Sequence, residues 1–222
     1  MNRRDFSARL ISAPLLSAPL AAVLTASLAT LARAQTGEPT EGKQFTRLEP
    51  AVPPTSTNKI EVLEFFSYGC SHCSAFEPSI EAWAKKLPAD VAFHRVPVPF
   101  LANAENFMRT YYALETMGQV SALQRKVFAA IHVDRERLDK PSDIVALVNK
   151  NGVDGAKFLD VFNSFSVANS VTKAKKLAAA YRLEGVPAVA VQGRFITSPS
   201  LAGGPEQALA VADFLIQRSR KV

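Results

Sequence analysis

The chain has 222 residues, 26 of them Lys or Arg and 20 Asp or Glu, for a net charge of +6. Arg3, Arg4, Arg9 and Arg33, against a single Asp5, lie in the first 34 residues, so the remaining 188 carry 22 basic and 19 acidic side chains, or +3. That near balance removes the case for a nucleic-acid partner, and 188 residues suit one domain, alone or with an inserted subdomain.

Residues 1–34 read as a cleaved export signal. Arg3 and Arg4 give a basic start, Leu10 to Leu31 is small and apolar apart from Ser and Thr, and Ala32-Arg33-Ala34 supplies an Ala-x-Ala cleavage pattern. The mature chain is then expected to begin at Gln35. Arg3-Arg4-Asp5-Phe6 resembles a twin-arginine signal, although no Leu follows Phe6, and an ordinary signal for unfolded export is the alternative. Either route ends in an oxidising compartment, here expected to be a bacterial periplasm.

Gln44 to Glu49 reads as a short edge strand, ended by Pro50, Pro53 and Pro54. Lys59 to Ser67 is a strand with a nearly continuous apolar run, as in a sheet covered on both faces. Next come the only two cysteines, Cys70 and Cys73, opening a helix to Leu87 with Phe76, Ile80, Trp83 and Leu87 at helical spacing and Pro78 expected to kink it. Cysteines three apart on a first helical turn share a face and can bridge. Cys70, nearer the helix start, meets unpaired N–H groups and the positive end of the dipole, which favour a thiolate. The thiolate is the species that attacks and leaves in disulfide exchange. Cys70 is therefore the candidate exchanging sulfur and Cys73 the resolving one, with His72 between them able to add positive charge or a donor.

Val91 to Val98 reads as a second strand. From Leu101 to Phe165 the pattern is helical: stripes run through Phe107, Tyr111 and Leu114; Leu123, Val127, Ala130 and Ile131; Ile144, Leu147 and Val148; and Phe158, Val161, Phe162 and Phe165. Pro141-Ser142-Asp143 marks a helix start. Val167 to Tyr181 is a further helix. Strands return at Ala188–Gln192 and Arg194–Thr197, joined as a hairpin through Gln192-Gly193, and a helix over about Pro205–Gln217 ends the chain. Strands, a block of helices and strands again describe an α/β sheet domain interrupted by a helical insertion.

Val62-Leu-Glu-Phe-Phe-Ser-Tyr-Gly-Cys-Ser-His-Cys73 and Gly185-Val-Pro-Ala-Val-Ala-Val-Gln-Gly193 resemble the two signature stretches of DsbA-type thiol:disulfide oxidases. The resemblance covers essentially the whole mature chain. It implies a thioredoxin fold with an inserted all-helical domain: residues 35–100 and 169–222 as the two parts of the thioredoxin domain and 101–168 as the insertion. It implies that Pro187 is a cis-proline facing the disulfide and that the Val186 backbone pairs with an extended substrate strand. It also places a buried acid at Glu64, beneath Cys73, where it assists proton transfer. From the residues alone an edge position facing solvent is the other reading of Glu64, and its basic partner is His94 or Arg95, with the strand register open. The dipeptide between the cysteines is Ser71-His72 where the best-known family members have Pro-His, and a modest shift in redox potential is expected from the loss of the proline.

The competing readings fit less well. A loop this short makes a poor structural disulfide, because closing it removes little unfolded-state entropy. Zinc needs about four ligands and only His72, His94 and His132 could join the cysteines, so no metal site is expected. A dimeric isomerase needs an N-terminal dimerisation domain, and about 24 residues separate Gln35 from the first long strand. A thioredoxin-like reductase lacks the helical insertion. The expected protein is a monomeric oxidase with no cofactor beyond the Cys70–Cys73 disulfide. The resemblance supplies its partners: newly exported cysteine-containing proteins as substrates, and a DsbB-type, quinone-linked membrane protein as reoxidant.

Overall fold

A computed structural model describes residues 37–55 and 58–221; the expected export signal lies outside the described residues. Five strands form one sheet: β1 (Thr46–Arg47), β2 (Ile60–Phe66), β3 (Val91–Pro97), β4 (Ala188–Val191) and β5 (Phe195–Thr197), in the order β1-β5-β4-β2-β3. β2 and β3 are parallel, while β4 is antiparallel to β2 and to β5, and β1 is antiparallel to β5. β2 therefore has a neighbour on each side and is covered on both faces, which accounts for its nearly continuous apolar run, interrupted by Glu61 and Glu64.

Helix α1 (Ser71–Ala84) makes the crossover between β2 and β3. On one face of the sheet Val62 packs with Phe76 and Ile80 of α1 and with Leu209 and Leu215 of the last helix, α8 (Pro205–Ser219). On the other face Leu63 and Phe65 pack with Val171, Ala174 and Ala178. These lie on α6 (Phe165–Ala180), whose N-cap, Ser164, accepts a hydrogen bond from the Val167 amide. Strand alternation thus sends adjacent residues of β2 into two different apolar layers.

Four helices stand between β3 and α6: α2 (Ala104–Thr116), α3 (Val120–His132), α4 (Pro141–Lys150) and α5 (Gly155–Phe162). Pro141 occupies the first turn of α4, where it costs no hydrogen bond, and Asp143 caps the Lys140 amide. The apolar stripes expected here meet in one core with Phe66, Tyr68 and both cysteines. The redox segment is thus packed by the helical block rather than merely bordered by it.

Two features differ from expectation. Phe165 does not continue the α5 stripe: the helix ends at Phe162, and Phe165 opens α6 with 81% of its surface exposed. A short helix, α7 (Pro199–Ala202), was not expected between β5 and α8. The hairpin is as expected, with Gln192 and Gly193 both in the left-handed region, at φ of 53° and 62°. Among the described residues no helix is long and apolar enough to cross a membrane.

Candidate active site

The two cysteines sit where β2 hands over to α1. Cys70 is the N-cap of α1, in extended conformation, and its Sγ accepts a hydrogen bond from the Cys73 amide at 3.4 Å. Both are free thiols in this structure, Cys73 wholly buried and Cys70 9% exposed. The surroundings split the pair. A hydrogen bond from the Cys73 thiol, the amides of Cys73 and His72 and the His72 charge bring Cys70 down to about 6, against a smaller opposing effect of burial. Burial pushes the Cys73 thiol far up, assisted by its bond to Cys70 and by the negative charge of the Cys70 thiolate. At neutral pH the site therefore holds a thiolate at Cys70 and a thiol at Cys73.

The Val186–Pro187 peptide is cis, and the Val186 carbonyl oxygen lies 3.4 Å from Cys70 Sγ. Pro187 is buried and Val186 half-buried; Ser71 and His72 are exposed. His72, Val186 and Pro187 border a groove of about 1210 Å³ that runs on past Phe76, Tyr181 and Leu201. His72 and the proline loop therefore border one groove, and the expected exchanging sulfur is in contact with the Val186 carbonyl of that loop.

Behind Cys73 the site is polar and closed. Glu64 is 1% exposed, which rules out the solvent-facing edge position. The parallel register sets Glu64 opposite Arg95, and Arg95 Nε donates to Glu64 Oε2 at 2.8 Å; His94 is exposed and pairs with Leu63 instead. Arg95 is therefore the partner the sequence left open. Its Nη2 also donates to Oε1 of Glu77 at 2.9 Å. Glu77, on α1 and 2% exposed, was not singled out from the sequence. It stands four residues after Cys73, on the same helical face, between the core residues Phe76 and Ile80; a carboxylate inside that apolar stripe was the signal available.

Two buried carboxyls thus share one guanidinium. Burial raises both, the attraction of Arg95 opposing it, and repulsion from Glu64 adds to the rise at Glu77. The pair as a whole therefore keeps a proton at a pH where free carboxyls have lost theirs. Glu64 Oε1 is buried and has no hydrogen-bond partner among the described residues.

The sequence profile of the DSBA-like thioredoxin domain matches residues 79–204. The chain belongs to this family. It is 42% identical over 187 residues to the thiol:disulfide interchange protein DsbA of Pseudomonas aeruginosa, covering 84% of this chain and 89% of the relative. It is 43% identical over 194 residues to the Bordetella pertussis protein of the same name, covering 87% and 92%. Among solved structures, the crystal structure of Pseudomonas aeruginosa DsbA superposes with a TM-score of 0.80 at 42% identity, covering 82% of this chain and 95% of that one. The oxidoreductase DsbA from Xylella fastidiosa does so with a TM-score of 0.78 at 27% identity, covering 84% and 100%. The fold is accordingly the thioredoxin type with the helical insertion of the DsbA family.

Proposed function

We propose that this chain is a thiol:disulfide oxidase that passes the Cys70–Cys73 disulfide to newly exported proteins. The observation that carries the reading is the split between the two sulfurs: Cys70 held as a thiolate at the N-cap of α1, Cys73 held as a buried thiol. A stabilised Cys70 thiolate favours the reduced enzyme, which makes the disulfide form an oxidant. An isomerase reading has no comparable support.

In the forward reaction a substrate thiolate attacks Cys70 Sγ and the Cys70–Cys73 bond breaks. Cys73 leaves with the electron pair and takes a proton from the buried carboxyl pair. A second substrate thiol, losing its proton to solvent, attacks the substrate sulfur of the mixed disulfide and expels Cys70 as the thiolate. The carboxyl pair then takes up a proton from solvent. Substrate gains one disulfide and loses two electrons; the enzyme gains those two electrons and, net, one proton, carried on Cys73. The roles given to Ser71, His72, Glu64, Val186 and Pro187 belong to this proposal. His72 supports the thiolate, Glu64 serves Cys73, and Val186 offers backbone groups to an extended substrate chain.

Reoxidation by a DsbB-type, quinone-linked membrane protein, action as a monomer in the periplasm after removal of residues 1–34, and the division into 35–100 and 169–222 around an inserted block at 101–168 complete the reading. The deciding measurement is the equilibrium of Cys70–Cys73 against graded glutathione buffers, read by thiol alkylation and mass. Ready reduction by glutathione supports an oxidase, and a disulfide that resists until strongly reducing conditions overturns it. In a Cys73→Ser variant, mixed disulfides are expected to accumulate through Cys70.

A further inference from the structure

The buried polar chain extends beyond the sheet. Gln124, in the middle of α3 and 3% exposed, touches two residues of the redox centre. Its Oε1 accepts from the Tyr68 hydroxyl at 2.5 Å, and its Nε2 donates to Glu77 Oε2 at 3.3 Å. Two turns later α3 ends at His132, whose Nε2 lies 2.8 Å from the Tyr68 carbonyl. A carbonyl only accepts, so His132 is the donor. Tyr68, two residues before Cys70, is therefore held at its hydroxyl and at its backbone by one helix of the inserted block.

These contacts fix the amide. Burial keeps the Tyr68 hydroxyl protonated, and it donates to the amide oxygen of Gln124. The amide nitrogen then faces Glu77 and can only donate. Both Glu77 oxygens consequently receive donors, Oε1 from Arg95 and Oε2 from Gln124. Glu64 receives one donor, and its Oε1 has none. A carboxyl with a donor on each oxygen is stabilised as the anion, whereas one with a bare buried oxygen is stabilised by a proton on that oxygen.

We propose that Gln124 is a positioning residue of the redox centre, holding Glu77 as the doubly bonded carboxylate so that the proton shared by the two acids stays on Glu64, beside Cys73. This rests on the oxidase reading for its consequence but not for its test. The charged and titratable groups around the pair are Glu64 on β2, Arg95 on β3, Cys73 and Glu81 on α1, Tyr68 in the loop and Tyr111 on α2. None of them offers Glu77 Oε2 another donor in this structure. Gln124 thereby gives the helical block a hand in deciding which acid can protonate the departing Cys73.

The test is a pH titration of the glutamate side-chain carboxyls by 13C NMR in the reduced, full-length mature protein, with Glu64→Gln and Glu77→Gln variants to assign the signals. In the unsubstituted protein Glu64 is expected to be protonated at pH 7 and Glu77 ionised. Gln124→Met keeps side-chain volume and removes the donor; it is expected to reverse that order and to slow oxidation of a dithiol peptide about tenfold, with the pH profile of the rate displaced. Should the variant fail to fold, the unsubstituted protein still decides, since a protonated Glu77 beside an ionised Glu64 overturns the proposal. An unchanged order in a folded Gln124→Met protein overturns it as well. The glutathione equilibrium separately tests the oxidase reading, and neither result dictates the other.

Discussion

Glu64 and Arg95 stand at the same level of the parallel β2–β3 ladder, with Arg95 Nε 2.8 Å from Glu64 Oε2 and both side chains almost wholly out of water. The same guanidinium reaches Glu77 at 2.9 Å. Two acids on one base leave a buried deficit of positive charge, which a proton makes good. In the proposed mechanism a buried proton store next to Cys73 serves the departing sulfur, and the same charge deficit costs the fold stability.

Arg95→Met is expected to be the most damaging change in this network. It strands two buried carboxyls without a countercharge, a loss of about 3–5 kcal/mol at neutral pH by analogy with other broken buried pairs. Both acids are neutral at low pH, so the loss should shrink towards pH 5. Urea unfolding of variant and parent at pH 5 and pH 8 checks this; an equal loss at both values would show that packing, not charge, is what the arginine supplies.

The carboxyl pair also dictates a slope in the parent protein. Its proton is held up to about pH 8 in the folded chain, against about 4.3 for an unfolded Glu. The folded state therefore binds more protons than the unfolded state across that window, and its stability falls as pH rises, by at most about 1.4 kcal/mol per pH unit. Either Glu64→Gln or Glu77→Gln should flatten the curve of unfolding free energy between pH 5 and pH 8. A curve equally steep in both variants would place the slope elsewhere.

The dithiol and the helical block were legible in the sequence because each carries a local signal, cysteine spacing or 3.6-residue periodicity; the proline loop was legible only through its resemblance to the family signature. The polar network behind Cys73 was not. Glu64 could be suspected as a charge in an apolar run, but its choice of Arg95 over His94 depends on strand register, a one-residue matter that neither side chain announces. Gln124 lies inside the Leu123–Val127 stripe and looks like a tolerated polar residue until the fold brings α3 against Tyr68 and Glu77. Phe165 misled because the i, i+3 spacing from Phe162 continues across the turn between α5 and α6, where Ser164 caps the new helix. The polar network stayed hidden because each of its contacts joins distant segments.

The Cys70 thiolate links redox state to pH. In the reduced protein it is held at about 6, below the usual thiol near 8.5. A depressed folded value gives stability that is fully present above about pH 8.5 and lost as pH falls through 6. The oxidised protein has no such group. The margin of reduced over oxidised protein in stability should therefore widen as pH rises from 5 to about 8.5, above which ionisation of Cys73 in the unfolded chain opposes further gain. His72→Ala removes one of the supports and should move the glutathione equilibrium about three- to tenfold towards the disulfide. Paired urea midpoints from pH 5 to 9 and thiolate absorbance in the reduced form supply the measurements; a margin independent of pH would contradict the assignment.

Gly193 tests the other end of the sheet, where the fold meets its own N-terminal segment. Its φ of 62° is in the left-handed region, and a Cβ there would stand 1.7 Å from the Val52 carbonyl oxygen. The same stretch is pinned by the Val52 amide on the Gly193 carbonyl at 2.9 Å and the Leu48 amide on the Arg194 carbonyl at 2.7 Å. Gly193→Ala therefore adds a backbone penalty to a collision that no side-chain rotation relieves, and the segment from Leu48 to Val52 must lift away. The expected cost is about 2–4 kcal/mol, with faster amide exchange at Leu48 and Val52. Cys70 should keep its low pKa, because the hairpin lies at the end of β4 remote from Pro187. Loss of the Cys70 thiolate in this variant would mean that the β1–β5 edge and the proline loop are coupled through the strand between them.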